Sequence, residues 1–486
     1  MQTSLLENKS LALSTSEPLW RLSATEIAAK ICRRDISARE ATLSVLDRVD
    51  ELNPRFNALA EVWHGTALDA ADAADKQQAL APKNGQPLGA LHGVPISIKI
   101  NVDIRGHATT DGAPALLNNI ATSDSPIVAS LREAGAICIG RNNAPAFSLR
   151  WFTENELYGA TLNPFNTVVT PGGSSGGAAV ATALGMGAIA HGNDYGGSIR
   201  YPAWACGVVG LRTTVGRIAS YKASAPNRIV TNQLMSVQGP LTRTISDARL
   251  ALSVMAKESH LDPQWVPAPL HWPNAAEPTR VALFKHWGDS PVDASVANAL
   301  EEAARWLEKA GYVVEEVAPP HFAEVAAMQF SLVMTDMRRA GAAYMRTHGD
   351  QRLKRAIEFY LAVTPELNRD DYLEALARRF SIARDWAVFF EKYPLLLMPN
   401  SWQQQLPVDD DQQSPERTRE ILLAQAPLLS TAVLGLPGLS VPTGMNNKLP
   451  KGVQLVSARF REDRLLAAGE IIERAAGFSA LQTLNF

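Results

Sequence analysis

Helix-type and strand-type hydrophobic patterns alternate along this chain, and this alternation limits the folds open to it. Ser37 and Glu40 form a capping box that begins a helix, and this helix is predicted to end before Pro54. A strand is predicted at 57–63, and a short apolar run with β-branched residues predicts a buried strand at 93–100 that ends at Lys99. Strands joined through helices are typical of α/β proteins.

The rest of the chain repeats the pattern, with further helices and strands predicted at 66–80, 125–136, 136–140, 245–256, 279–284, 292–310 and 312–317. Residues 321–392 are almost wholly helical in pattern, 394–400 form a buried strand, and 402–417 are predicted to be a solvated polar loop with a short acidic run. We predict a single large α/β domain over 20–486, preceded by a loosely ordered lead-in over 1–19. Its central β-sheet is expected to be mixed, mostly parallel and covered by helices on both faces.

Composition narrows the classes of partner. The 486 residues are 46% hydrophobic and 20% charged, with a formal net charge of −3. A nearly neutral chain lacks the positive field that attracts nucleic acid or an acidic membrane surface. We therefore expect a small-molecule ligand, with no nucleic acid and no membrane.

Cysteine usage and the N-terminal sequence predict the compartment. The three cysteines, Cys32, Cys138 and Cys206, are an odd number in a long chain, which argues against a disulfide framework. No pair has metal-ligand spacing, and the start of the chain lacks the pattern of a signal peptide. We expect a cytoplasmic protein with no metal and no cofactor.

A glycine–serine tract, GGSSGG at 172–177, stands directly before a small-residue apolar helix. Gly/Ser tracts are usually flexible linkers, but linkers are not normally embedded in core sequence. A phosphate-binding loop would need Lys and then Ser or Thr after the last glycine, whereas Ala178 and Ala179 follow here. Both interpretations are therefore disfavoured.

The same tract formally matches the G-x-S-x-G nucleophile elbow at Gly172 to Gly176. That motif requires a downstream acid and a histidine. Candidate histidines exist, but none follows a convincing strand: His260, His271, His286, His321 and His348.

A second cluster, GGS at 196–198, and Lys99 complete a more specific pattern. The motifs GVPISIK, PGGSSGG and GNDYGGSIRYPAWACGVVGLRTT between 93 and 213 resemble the amidase signature family. The later GLPGLSVPTG and LPKGVQLV also resemble the family's C-terminal elements, so the resemblance extends from about residue 20 to 475. It implies a catalytic core at about 90–215.

The resemblance implies a Ser–Ser–Lys triad that performs acyl transfer. Ser198 would be the nucleophile, Ser174 would bridge to the lysine, and Lys99 would be the general base. A serine hydroxyl needs a nearby base, and a lysine can serve only when burial or a neighbouring cation keeps it neutral. Lys99 follows the apolar run VPISI, which is consistent with burial.

The resemblance also implies roles for the neighbouring residues. The oxyanion hole maps to the backbone N–H groups of Tyr195, Gly196, Gly197 and Ser198, and the Gly173–Ser174 peptide bond is expected to be cis. Ser175, Asp194 and Arg200 are expected to hold the site without reacting.

The implied activity is hydrolysis of linear amides through an acyl-enzyme, with esters and carbamates (urethanes) as further candidates, by a monomer or homodimer. Two alternatives remain open: the glutamine-hydrolysing subunit of a tRNA-dependent amidotransferase, and an anion-binding module without catalysis. Departures from the family pattern at Ile100–Asn101 and at 399–407 make the amidotransferase alternative less favoured.

Substrate specificity is expected to reside in loops and inserted helices. We predict that 145–158 and the helical segment at about 321–435 shape the pocket. Trp151, Phe152 and Tyr195 are candidates for an aromatic wall, with packing in the core as the alternative.

Overall fold

A computed structural model describes residues 17–84, 87–272, 279–288, 291–484 and 486. Most of the predicted lead-in, residues 1–16, lies outside them. Thirteen strands occur in these ranges, at β1 Leu59–Val62, β2 Pro95–Lys99, β3 Ile137–Asn142, β4 Glu154–Asn155, β5 Gly159–Ala160, β6 Ile189–Asp194, β7 Val209–Arg212, β8 Val237–Thr242, β9 Arg280–Leu283, β10 Val313–Glu316, β11 Leu395–Met398, β12 Gly438–Asn446 and β13 Leu449–Ser457.

The α-helices surround these strands. Their bounds are α1 Ala24–Arg33, α2 Ala38–Phe56, α3 His64–Asn84, α4 Pro126–Glu133, α5 Gly176–Leu184, α6 Arg200–Ala205, α7 Val230–Met235, α8 Ile245–Met255, α9 Ala294–Lys309, α10 Phe322–Ala340, α11 Ala342–His348, α12 Gln351–Val363, α13 Arg369–Lys392, α14 Pro415–Ala424, α15 Ala426–Val433, α16 Glu462–Ala476 and α17 Ala480–Thr483. Within the described ranges, no helix combines the length and apolar character that crossing a membrane requires.

One large sheet organises the domain. Eleven described strands pair in the order β1-β3-β2-β6-β8-β7-β12-β13-β11-β9-β10, and helices flank them. The predicted single α/β domain with a mixed sheet is therefore confirmed. Parallel pairing is confined to the two blocks β3-β2-β6 and β11-β9-β10, whereas the centre of the sheet is antiparallel.

The Ser37 capping box of α2 forms as predicted. The Ser37 side chain accepts from the backbone N–H of Glu40, and the Glu40 carboxylate accepts from the backbone N–H of Ser37. The helix continues past the predicted end to Phe56, with Pro54 in its last turn. Near a helix end, proline removes one hydrogen bond without breaking the whole helix.

The acidic run at 409–411 is not simply solvated, and that expectation is wrong for two of its members. Asp410 and Asp411 are only 3% and 2% exposed. Asp411 pairs with the buried Arg150 at 2.7 Å, and Asp410 pairs with Arg417 at 2.6 Å. Asp411 thus joins the loop before α14 to the loop after β3, and Asp410 joins that loop to α14 itself. Both contacts form because a buried carboxylate must find a charged or hydrogen-bonding partner.

Candidate active site

The site begins where two parallel strands end. Strands β2 and β6 are adjacent and parallel, with Ile96 opposite Ile189. Lys99 is the last residue of β2, and Asp194 is the last residue of β6. Since parallel strands end at the same edge of a sheet, residues far apart in sequence meet there. Ser198 lies in the short loop between β6 and α6.

The GGSSGG tract at 172–177 is packed tightly and leads into α5. A Cβ at Gly173 would lie 2.6 Å from the carbonyl oxygen of Arg150, and one at Gly177 would lie 2.4 Å from the backbone nitrogen of Asn143. Glycine is required because the main chain of other segments passes this close. The Gly173–Ser174 peptide bond is cis, as predicted. The linker interpretation is thus excluded by packing.

Three oxygen atoms surround the amine of Lys99. Its Nζ lies 2.6 Å from Ser174 Oγ, 3.0 Å from Ser175 Oγ and 2.8 Å from Asn193 Oδ1. Lys99 is completely buried. The predicted contact between Lys99 and Ser174 is therefore present, and Ser175 contacts the lysine directly.

Burial also sets the protonation of this amine. Desolvation lowers the pKa of Lys99 from an ordinary 10.5 to about 7, against the opposing effects of Asp111 and Asp194. The charged form is disfavoured because the protein interior solvates an ammonium ion poorly. A lysine with a pKa near neutrality can accept a proton under physiological conditions.

Asp194 holds the loop that carries Ser198. Its carboxylate accepts from Arg200 Nε at 2.9 Å, from Arg212 Nη1 at 3.0 Å and from the backbone N–H groups of Gly197 and Ile199 at 2.8 and 3.2 Å. Burial alone would raise the pKa of Asp194, but the two arginines outweigh it and hold this pKa well below its usual range. Asp194 and Arg200 are therefore bonded to each other, and Asp194 binds the main chain on both sides of Ser198.

Replacing Asp194 with asparagine is expected to lower the free energy of unfolding by about 3–5 kcal/mol. The change would leave Arg200 and Arg212 buried without their counter-charge. Chemical denaturation followed by circular dichroism measures this loss. Asp124→Asn, which breaks the more exposed pair with Arg132, serves as control and should cost less than about 1 kcal/mol. Equal losses in the two variants would contradict the argument.

The carbonyl groups of this loop are fixed by neighbouring donors. The carbonyl of Tyr195 accepts from Gln329 Nε2, that of Gly196 accepts from Trp151 Nε1, and that of Gly197 accepts from the backbone N–H of Tyr201. Gly197 N–H, one of the predicted oxyanion donors, already donates to Asp194. Within the described residues, the N–H groups of Tyr195, Gly196 and Ser198 have no protein acceptor.

Asn193 is a site residue that sequence reasoning missed. Its Oδ1 accepts from Lys99, and its Nδ2 donates to Asn101 Oδ1 at 2.9 Å. Asn101 in turn donates to Ser148 Oγ at 3.0 Å. The GNDYGGSIR motif places Asn193 next to Asp194, but only the fold shows that the Asn193 side chain reaches Lys99.

A cavity of about 310 Å³ opens beside these groups and is lined by both Ser174 and Ser198. The segment 145–158 contributes to its wall as predicted, through Phe147 and Leu149, and the helical segment contributes Met337.

The predicted aromatic wall fits Tyr195, which lines the cavity, but not Trp151 or Phe152. Those two rings belong to a buried cluster with Tyr201 and Trp204, as in the packing alternative. Trp151 still contacts the site, because its Nε1 donates a hydrogen bond to the carbonyl of Gly196.

The largest contribution that sequence reasoning missed is the segment 219–238, which lines much of the cavity. Two acidic residues attach it to the loop after β2. Asp111 pairs with Lys222 at 2.8 Å, and Asp103 accepts from Ser224 Oγ at 2.7 Å. No sequence motif indicates these pairings, because the partners are separated by 111 and 121 residues.

Sequence comparisons agree on one family. The family model described as Amidase matches residues 40–466. The chain is 43% identical over 465 residues to an indoleacetamide hydrolase of Bradyrhizobium diazoefficiens, covering 95% of this chain and 88% of that protein. It is 32% identical over 492 residues to a component of the glutamyl-tRNA(Gln) amidotransferase of Moorella thermoacetica, covering 95% and 98% of the two chains.

The fold resembles that of 6-aminohexanoate cyclic dimer hydrolase, solved in complex with its substrate. The TM-score is 0.82 at 25% identity, and the match covers 96% of this chain and all of the other.

Proposed function

Because the chain belongs to the amidase family and hydrolyses linear amide C–N bonds, we propose that Ser198, Ser174 and Lys99 form its catalytic triad. The observation that carries this assignment is the wholly buried Lys99 amine, held 2.6 Å from Ser174 Oγ beside a cavity that Ser198 also lines. Ser198 is only partly buried, as a nucleophile must be to meet a substrate.

Acylation begins with proton transfer along the triad. Neutral Lys99 accepts the proton of Ser174, and Ser174 accepts that of Ser198. The Ser198 oxygen then forms a bond to the carbonyl carbon of the amide. The proton returns through Ser174 to the nitrogen of the leaving group, the C–N bond breaks, and ammonia or an amine departs.

The negative charge on the tetrahedral oxygen requires donors that already point at it. We assign this role to the N–H groups of Tyr195, Gly196 and Ser198. The carbonyls of their three peptide units accept from Arg212, Gln329 and the backbone N–H of Tyr201, respectively. Donors fixed before the reaction need no reorganisation when the charge develops. Gly197 is assigned a structural role, since its N–H is bound to Asp194.

Deacylation repeats the same proton path with water as the nucleophile. Lys99, through Ser174, removes a proton from water, the water oxygen attacks the ester carbonyl, and Ser198 leaves with the proton returned to it. The products are a carboxylic acid and the regenerated serine, so no other group needs to be supplied.

The substrate class is proposed from the cavity wall and from the relatives. Phe147, Leu149, Tyr195, Met337 and Met345 form an apolar and aromatic part of the cavity lining. Thioether and aromatic side chains pack well against a ring. Together with the 43% identical indoleacetamide hydrolase, this favours the primary amide of an arylacetic acid.

Esters and carbamates react through the same tetrahedral intermediate, and we propose them as secondary substrates. We also propose a cytoplasmic enzyme that works as a monomer or homodimer without partner proteins. The free thiols Cys32, Cys138 and Cys206 are consistent with a reducing compartment.

A role as the glutamine-hydrolysing component of an amidotransferase is the second candidate function, supported by two relatives at 32% identity. Such a component would prefer glutamine and would show little activity without its partners. Comparison of ammonia release from glutamine and from phenylacetamide by the isolated protein separates the two functions.

The triad is tested by labelling with a fluorophosphonate, which reacts with an activated serine. We expect one adduct by intact mass spectrometry, located on Ser198 by peptide mapping. An adduct on Ser174 would instead favour the nucleophile-elbow arrangement, and the absence of an adduct on folded protein would contradict the triad.

Replacing Asn193 with aspartate is expected to shift the acidic limb of the pH profile of kcat/KM upward by about one unit or more. A carboxylate 2.8 Å from Lys99 Nζ would stabilise the ammonium form and raise the lysine pKa, so the neutral base would appear only at higher pH. Asn227→Asp, at an exposed position lining the same cavity, serves as the matched control. An unchanged profile for Asn193→Asp would contradict the contact with the lysine.

A further inference from the structure

Arg228 brings a positive charge to the cavity that contains Ser198. Its guanidinium is fixed rather than free. The Nε and Nη2 groups donate to Asn232 Oδ1 and to the Asn232 carbonyl at 2.7 and 3.0 Å, and Nη1 donates to the carbonyl of Ser220 at 3.1 Å. The segment 219–238 thus holds this side chain in one place at the wall.

These bonds leave a defined set of donors. A guanidinium carries five N–H groups, and three are used here. The two that remain are one on each terminal nitrogen. Each of these N–H groups can donate to a carboxylate oxygen, and such charge-assisted hydrogen bonds are stronger than neutral ones.

The charge on Arg228 also has no ion-pair partner among the described residues, unlike that of Lys222 on the same wall. Lys222 is paired with Asp111 at 2.8 Å, and Asp103 accepts from Thr109 Oγ1 and Ser224 Oγ at 2.6 and 2.7 Å. The three acceptors of Arg228 are all neutral carbonyl oxygens, and no carboxylate of the described residues forms an ion pair with it. Burial lowers the pKa of Arg228, and the carboxylate of Asp262 opposes this only from beyond ion-pair distance. Removing a cation from water without a paired anion is unfavourable.

We propose that Arg228 binds a carboxylate carried by the substrate at a distance from the amide that is cleaved. The proposal rests on the proposed function, since it refines the substrate from an arylacetamide to one bearing a second, acidic group. Arg228 would act as a specificity-determining residue, binding this group while Ser198 attacks the amide. The expected substrate is therefore the monoamide of an aromatic diacid.

The test compares phenylacetamide with its ortho-, meta- and para-carboxy derivatives. We expect the wild-type protein to favour at least one derivative in kcat/KM by about 10- to 100-fold. Arg228→Gln should abolish this preference, mainly through KM, while kcat/KM for phenylacetamide changes less than about threefold. Arg228→Lys should retain part of the preference. Arg369→Gln, which removes an 85% exposed arginine on α13, serves as control and should retain all of it.

No preference in the wild-type protein, or a preference that persists in Arg228→Gln, would overturn the proposal. Equal loss on all four amides would also overturn it, because it would indicate a structural role. If the wild-type protein hydrolyses none of the amides and takes no fluorophosphonate, the proposed function has failed instead. Calorimetric binding of para-carboxyphenylacetamide to the wild-type and Arg228→Gln proteins then decides the proposal, with at least tenfold weaker binding to the variant expected.

Discussion

Replacing Ser198 with alanine is expected to lower kcat/KM for phenylacetamide by roughly 10⁴-fold or more and to abolish fluorophosphonate labelling. The change removes the oxygen that we propose forms the acyl-enzyme, and neither Ser174 nor Ser175 is expected to replace it. Both of those hydroxyls are buried and hydrogen-bonded to Lys99. Release of ammonia measured with excess enzyme extends the assay to slow rates.

Ser236→Ala is the matched control, because Ser236 lines the same cavity. It should retain activity within about threefold. The melting temperatures of both variants should stay within a few degrees of the wild type, since Ser198 is only partly buried. Substantial turnover by Ser198→Ala would mean that another group attacks the amide.

Replacing Lys99 with methionine is expected to lower kcat/KM by about 10³-fold, because the proposed triad loses its base while the buried volume is roughly kept. In the wild-type protein, kcat/KM should be constant above the Lys99 pKa of about 7 and should fall about tenfold per pH unit below it. The rate falls at low pH because only neutral lysine can accept the proton of Ser174. The pH profile of the methionine variant should lack this limb.

The same lysine makes stability depend on pH. Its folded pKa of about 7 lies below the ordinary 10.5, so the unfolded chain binds more protons between these two values. The contribution of Lys99 to the free energy of unfolding therefore rises as the pH increases from about 7 to 10.5. The rise is at most about 1.4 kcal/mol per pH unit. Lys99→Met should lack this rise in chemical denaturation, and Lys222→Met, at a cavity lysine paired with Asp111, serves as control. A rise of equal size in Lys99→Met would show that Lys99 is not its source.

Local sequence predicted much of the framework. The capping box of α2, the strand that ends at Lys99 and the helical run after residue 321 depend on contacts between near neighbours or on hydrophobic period, and the structure contains all three. The burial of Asp411 and the positions of Trp151 and Phe152 depend instead on distant partners. Local patterns could not predict them.

Local motifs specify which reactive groups the site holds. The glycines of GGSSGG and GGS permit close backbone approach, and the motifs single out Ser174, Ser198 and Lys99. The tertiary structure alone decided how those groups behave. It brought Lys99 to Ser174 across 75 residues and to Asn193 across 94, and it removed water from the amine. A pKa depends on solvation and on the charges nearby in space, and both are properties of the folded chain rather than of any one segment.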